Sequence, residues 1–113
     1  MLLCWTTVAT RDDADRLASD VITRGLAACV QIDGPITSHY RWQGQVERAE
    51  EFRLCFKVLP ALLAPLEAHV LSHHPYATPE WIVVSAERVA EKYLSWAKAN
   101  STFPPFHTSQ PSL

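Results

Sequence analysis

Residues 26 to 59, LAACVQIDGPITSHYRWQGQVERAEEFRLCFKVL, restrict the possible fold more than any other stretch of the chain. In the second half, Val46, Phe52, Leu54, Phe56 and Val58 fall on one face, and Glu47, Glu51, Arg53, Cys55 and Lys57 on the other. A period of two marks a strand with one face in a core. The first half, Leu26 to Trp42, is rich in β-branched and aromatic residues and is broken once, at Asp33-Gly34-Pro35. Extended residues resume at once, so this break reads as a bulge or bend. The two runs join at Gln43-Gly44. About 16 residues per strand at roughly 3.3 Å each reach about 50 Å. A compact chain of this size has a radius of gyration near ~14 Å and is roughly 35 Å across. The hairpin is therefore expected to project beyond its own domain. Exposed edges carrying Tyr40 and Trp42 invite pairing with other copies of the chain, which predicts a closed homo-oligomer.

The chain has 113 residues, enough for one domain. We expect that domain to cover residues 1–100, with 101–113 a proline-containing tail. Apolar and charged contents of 48% and 19% suit a soluble globular protein. A net charge of −2 without a basic patch argues against nucleic acid as a partner. No apolar run approaches a membrane span, and MLLCWTTVAT lacks the basic start of a signal peptide. Cys4, Cys29 and Cys55 are odd in number and form no CxxC pair, which points to reduced thiols and a cytoplasmic protein.

Either side of the hairpin the patterns are shorter. Residues 2 to 8 read as a strand. Thr10 caps a helix with Asp12 and Asp13 in its first turn, and Ala14, Leu17, Ala18, Val21 and Ile22 form its apolar stripe. Gly25 supplies a left-handed stop. Pro60 and Pro65 bracket the start of a second helix over about 62–73, which His74-Pro75 ends. Its stripe is Leu62 or Leu63, Leu66 and Val70. Residues 80 to 85, EWIVVS, read as a buried strand, and a third helix covers 89–99 with Val89, Tyr93, Trp96 and Ala97 on one face. The order β-α-β-β-α-β plus a terminal helix is the α+β, ferredoxin-like arrangement, with both helices on one face of the sheet. The other face, including Gln31, Glu51, Arg53, Cys55 and Lys57, suits a subunit interface.

The densest polar cluster is Ser72 to Glu80. Adjacent His73 and His74 can bind copper, zinc or nickel, although a histidine at a helix end also simply favours the negative pole of the dipole. A Cys4 thiolate near the end of the first strand could complete a soft copper site, or Cys4 could be a small buried hydrophobe. Glu51 is a candidate ligand or half of an ion pair. Tyr40, Trp42, Lys57, Tyr76 and Glu80 are candidates for a cleft or interface. No nucleophile-base motif and no phosphate loop is present, so nothing in the sequence points to an enzyme.

The segments LAACV (26–30), TSHYRWQGQV (37–46), Lys57 at a strand end, SHHPYATPE (72–80) and YLSW (93–96) occur in this order over roughly residues 3–100. Together they resemble the CutA family, the divalent-cation tolerance proteins. The resemblance implies a ferredoxin-like homotrimer with long interlocking hairpins, binding copper or other divalent ions. It implies ligands from a cysteine ending the first strand and from the histidines of HHPY. His73 and His74 match, but the cysteine position falls on Thr6. Cys4 lies two residues earlier, on the same face and about 6.6 Å away. Residues 85–91, SAERVAE, depart from the family in lacking a glycine-containing loop. An alternative is a signalling trimer like the nitrogen-regulatory PII proteins, whose inter-subunit cleft near Trp42, Lys57 and Tyr76 would hold a small ligand or partner peptide. An enzyme using His74 and Glu80 as an acid-base pair is the third alternative.

Overall fold

The computed structural model describes residues 1–103; the rest of the proline-containing tail lies outside the described residues. The elements are β1 (Leu2–Val8), α1 (Arg11–Thr23), β2 (Cys29–Trp42), β3 (Gln45–Val58), a 3-10 turn (Pro60–Leu62), α2 (Leu63–His73), β4 (Ile82–Ser85) and α3 (Glu91–Ala99). The strands form one antiparallel sheet in the order β2-β3-β1-β4. This is the ferredoxin-like arrangement expected from the element order.

The ends of α1 follow from its sequence. Thr10 Oγ1 accepts from the Asp13 N–H at 3.1 Å, satisfying one of the free donors of the first turn. At the other end the Leu26 N–H donates to the Val21 carbonyl and the Gly25 N–H to that of Ile22. This is a Schellman closure, with Gly25 at φ 71° where a side chain is disfavoured. Pro65 is the third residue of α2, where its missing N–H costs no helical hydrogen bond. His74, before Pro75, leaves the helix at φ −75° and ψ 134°.

Leu54, Phe56 and Val58 of β3 and Cys4 and Val8 of β1 pack against Leu17 and Val21 of α1 and Leu66 and Val70 of α2. Each large apolar side chain fully buried there contributes roughly 1.5–3 kcal/mol. The β3 stripe therefore points into the core as its alternation requires, apart from Val46, which is exposed near the hairpin tip.

The hairpin strands are 14 residues each, slightly shorter than expected, and the molecule measures 57 × 32 × 21 Å. Gln43 and Gly44 turn the chain, both at positive φ. The register passes from Asp33↔Arg53 to Ile36↔Glu51, so Gly34 and Pro35 oppose Phe52 alone. This is a bulge, and the Gly34–Pro35 peptide in it is cis. Its consequence is a change of face. Before it, Ile32 lies opposite Leu54; after it, Tyr40 lies opposite Glu47 and Trp42 opposite Gln45. The aromatic residues of β2 thus join the odd-numbered side of β3, which carries Glu51.

Three expectations need correction. β4 starts at Ile82, and its residues are exposed within the chain, because it is the sheet edge rather than a central strand. On α1, Ile22 is 44% exposed at the margin of the stripe. α3 starts at Glu91 and buries only Ala97. Tyr93 sits 5.5 Å from the Lys57 ammonium on the opposite face of the sheet, and Trp96 stays exposed.

Candidate functional site

The two adjacent histidines are wired in opposite ways. His73 ends α2, and its Nδ1 lies 2.8 Å from the His69 carbonyl oxygen. A carbonyl only accepts, so Nδ1 carries the proton and Nε2 keeps a lone pair. That Nε2 has no hydrogen-bond partner among the described residues, and the side chain is exposed. Ser72 Oγ also lies 3.0 Å from Nδ1, and the ring stacks on that of His69 with centroids 4.2 Å apart.

His74 uses both ring nitrogens. Its Nε2 lies 3.0 Å from the Thr7 carbonyl and 3.0 Å from Thr6 Oγ1, so Nε2 carries the proton. Thr6 Oγ1 in turn donates to the Glu80 carbonyl at 2.6 Å. Nδ1 of His74 accepts from the Tyr76 N–H at 3.1 Å. Burial holds this imidazole below the usual histidine range, with the Thr7 carbonyl acting the other way. The ring fastens the loop after α2 to the end of β1.

Cys4 is fully buried on the core face, opposite Phe56 and Val83. Burial, with Cys55 and Glu67 adding, pushes its thiol up to about 11. It is therefore a thiol at neutral pH rather than a soft anionic ligand. The described residues contain no group of three His, Cys, Asp or Glu side chains arranged to hold an ion. Within one chain, then, His73, His74, Cys4 and Glu51 do not make a chelate.

A different set does converge. Tyr40, Trp42, Glu51, Tyr76 and Glu80 border one cleft of about 660 Å³ between the ribbon and the loop after α2. Tyr76 Oη donates to Glu51 Oε2 at 2.8 Å, and burial followed by that carboxylate raises the phenol's pKa. The Tyr76 ring lies 5.0 Å from that of His74. Lys57 is absent from this lining, because it stands at the far end of β3 opposite Leu3. Nor do His74 and Glu80 make an acid-base pair: Glu80 reaches Thr6 with its backbone carbonyl, not its carboxylate.

Sequence reading missed Ser38 and Ala49, which also line the cleft and face each other across the ribbon. A facing pair of small side chains among bulky ones was the available signal, but it needs the register. It also passed over His69, four residues before His73 and so on the same helical face. His69 Nε2 lies 2.6 Å from Asp20 Oδ2 without a well-directed hydrogen bond.

The strand order, the helix-covered face and the ribbon that outgrows its domain define a ferredoxin-like subunit with a projecting two-stranded ribbon. A family model described as CutA1 divalent ion tolerance protein matches residues 2–100, and the chain belongs to that family. A chloroplastic CutA protein of Arabidopsis thaliana is 39% identical over 101 residues, covering 89% of this chain and 55% of the relative. The chain thus spans about half the length of that plant relative. The divalent-cation tolerance protein CutA of Yersinia pestis is 36% identical over 100 residues, covering 88% of this chain and 82% of the relative. Among solved structures, CutA from Synechococcus elongatus superposes with a TM-score of 0.86 at 39% identity, covering 89% of each chain. The divalent cation tolerance protein of Thermus thermophilus gives 0.84 at 32% identity, covering 90% of this chain and all of the other.

Proposed function

We propose that the chain acts as a non-enzymatic homotrimer in tolerance to divalent cations, copper among them, and that His73 is the residue that meets the ion. The observation that carries the metal part is the free Nε2 of an exposed imidazole whose Nδ1–H is fixed on a backbone carbonyl. That is the usual preparation of a histidine ligand. One imidazole per subunit gives weak, exchangeable binding, in keeping with an ion that is cargo rather than a resident cofactor. His74 could add a bond only by giving up Tyr76 or the β1 end, and Cys4 only by losing its proton inside the core.

The trimer is supported by two unlike sheet edges, β2 and β4, and by apolar side chains left in solvent on β4. Contact between unlike edges is heterologous, and it closes as a ring of three when successive subunits are turned by about 120°. A cytoplasmic location is part of this reading, supported by three cysteines that form no disulfide. No helix among the described residues is long and apolar enough to cross a membrane.

Calorimetric titration of Cu(II) at pH 7.5 tests the metal part. His73→Ala is expected to abolish the measurable heat, whereas Cys4→Ser leaves it unchanged. Equal copper affinity in His73→Ala and the parent protein removes His73 from the reading.

A further inference from the structure

We propose that the cleft between the ribbon and the loop after α2 binds a small organic ammonium ion. Its walls are aromatic, with Tyr40 and Trp42 on the ribbon 45% and 49% exposed within a single chain and Tyr76 on the loop. Its charge is acidic: among the described residues Glu51 and Glu80 line it, with no lysine or arginine, and His39 is the only basic side chain. Glu51 is built in rather than merely present. It is half-buried, and the Tyr76 hydroxyl fixes Oε2 at 2.8 Å. Oε1 has no hydrogen-bond partner, and the carboxylate has no basic partner, among the described residues. A half-buried carboxylate without a counter-ion attracts a cation, and aromatic faces around it favour an alkylated ammonium through cation–π contact.

The alternatives are less suited. An anion would meet two carboxylates. A divalent ion needs several converging oxygen or nitrogen donors, and the described residues offer no such group. About 660 Å³ also exceeds what one hydrated ion needs and falls in the range of small-molecule sites. The inference goes beyond ion tolerance and does not depend on it, since His73 lies outside this lining.

The test uses the full chain in its native assembly and follows tryptophan fluorescence during titration with tetramethylammonium chloride. Sodium chloride at matched ionic strength is the control. We expect a saturable change with tetramethylammonium alone, weakened at least about tenfold in Glu51→Gln. Tyr40→Leu should weaken it too, while leaving Trp42 as reporter. Light scattering on each variant identifies any loss of assembly; if Glu51→Gln dissociates, Tyr40→Leu decides. A response that does not saturate, or an unchanged affinity in the intact variants, overturns the proposal. So does a cleft already filled by a cationic side chain of a second copy, which would abolish the response in the parent protein. His73→Ala should bind tetramethylammonium as the parent does, so failure of the copper reading is separately visible.

Discussion

His74 enters the folded state with every ring hydrogen bond in use, and this gives it a pH signature. Its pKa is lowered from 6.5 on folding, so below that value the unfolded chain binds the proton more readily. The stability it contributes is complete above about pH 6.5 and is lost as pH falls from there towards the lower folded-state value. Burial also lowers His69, which acts in the same direction. The melting temperature should therefore drop between pH 7.5 and 5.5, and His74→Ala should flatten part of that slope. The same variant should cost about 1–3 kcal/mol at pH 7.5, because it strands the Thr7 carbonyl and the Tyr76 N–H. Thermal unfolding at the two pH values measures both effects. Thr6 occupies the position where the family resemblance implies a cysteine, and its Oγ1 is 3.0 Å from His74 Nε2. Thr6 is as fully buried as Cys4, and that Nε2 already carries a proton, so a thiol there would meet neither a free lone pair nor solvent. Thr6→Cys is therefore expected to leave copper affinity unchanged by calorimetry; a rise of about tenfold or more would show that His74 can be released from β1. Sequence alone could place His73 and His74 side by side, but not say which ring nitrogens were free. The partners of His74 Nε2 lie on β1, up to 68 residues away.

At the level of elements, the bulge in β2 decides what the ribbon can do. It exchanges the two faces of the strand, so that Tyr40 and Trp42 stand on the side of Glu51 rather than of Phe52. Gly34 is required there. A Cβ would come within 2.7 Å of Phe52 Cδ2 and 3.0 Å of the Glu51 carbonyl oxygen, at φ +151°. Gly34→Ala should destabilise the fold by about 1–3 kcal/mol. It should also disturb the cleft, visible as altered amide shifts at Glu51 and Tyr76 in NMR spectra; a variant of parental stability and spectrum would argue against the strain. The break at Asp33-Gly34-Pro35 was legible because glycine and proline interrupt a strand. The exchange of faces was not, since it depends on how many residues of β3 the bulge faces.

For the whole molecule, the exposed apolar edge bears most directly on assembly. Ile82 and Val84 are 51% and 42% exposed on β4 and face the same side of the sheet as Leu3 and Trp5. Charge placed there should oppose association while leaving the core stripe of β3 untouched. The double variant Ile82→Lys, Val84→Lys is expected to scatter light as a single 12.7 kDa chain, where the parent protein gives three times that mass. A lone-chain mass for the parent protein at micromolar concentration would remove the trimer from the proposed function. The apolar run at 80–85 reads as buried from sequence because a local pattern cannot distinguish a central strand from an edge strand awaiting a partner.

The sequence by itself determined the order of strands and helices, the caps of α1, the turn at Gln43-Gly44 and a ribbon longer than its domain. These rest on periodicity and backbone preference, which act over a few residues. Only the tertiary structure decided that His73 keeps a free nitrogen while His74 does not, that Cys4 is locked in the core, and that Glu51 joins the aromatic side chains in one cleft. The His73 contact spans one helical turn, but the others depend on register and on contacts between residues distant in the chain, where a shift of one position reverses the face a side chain presents.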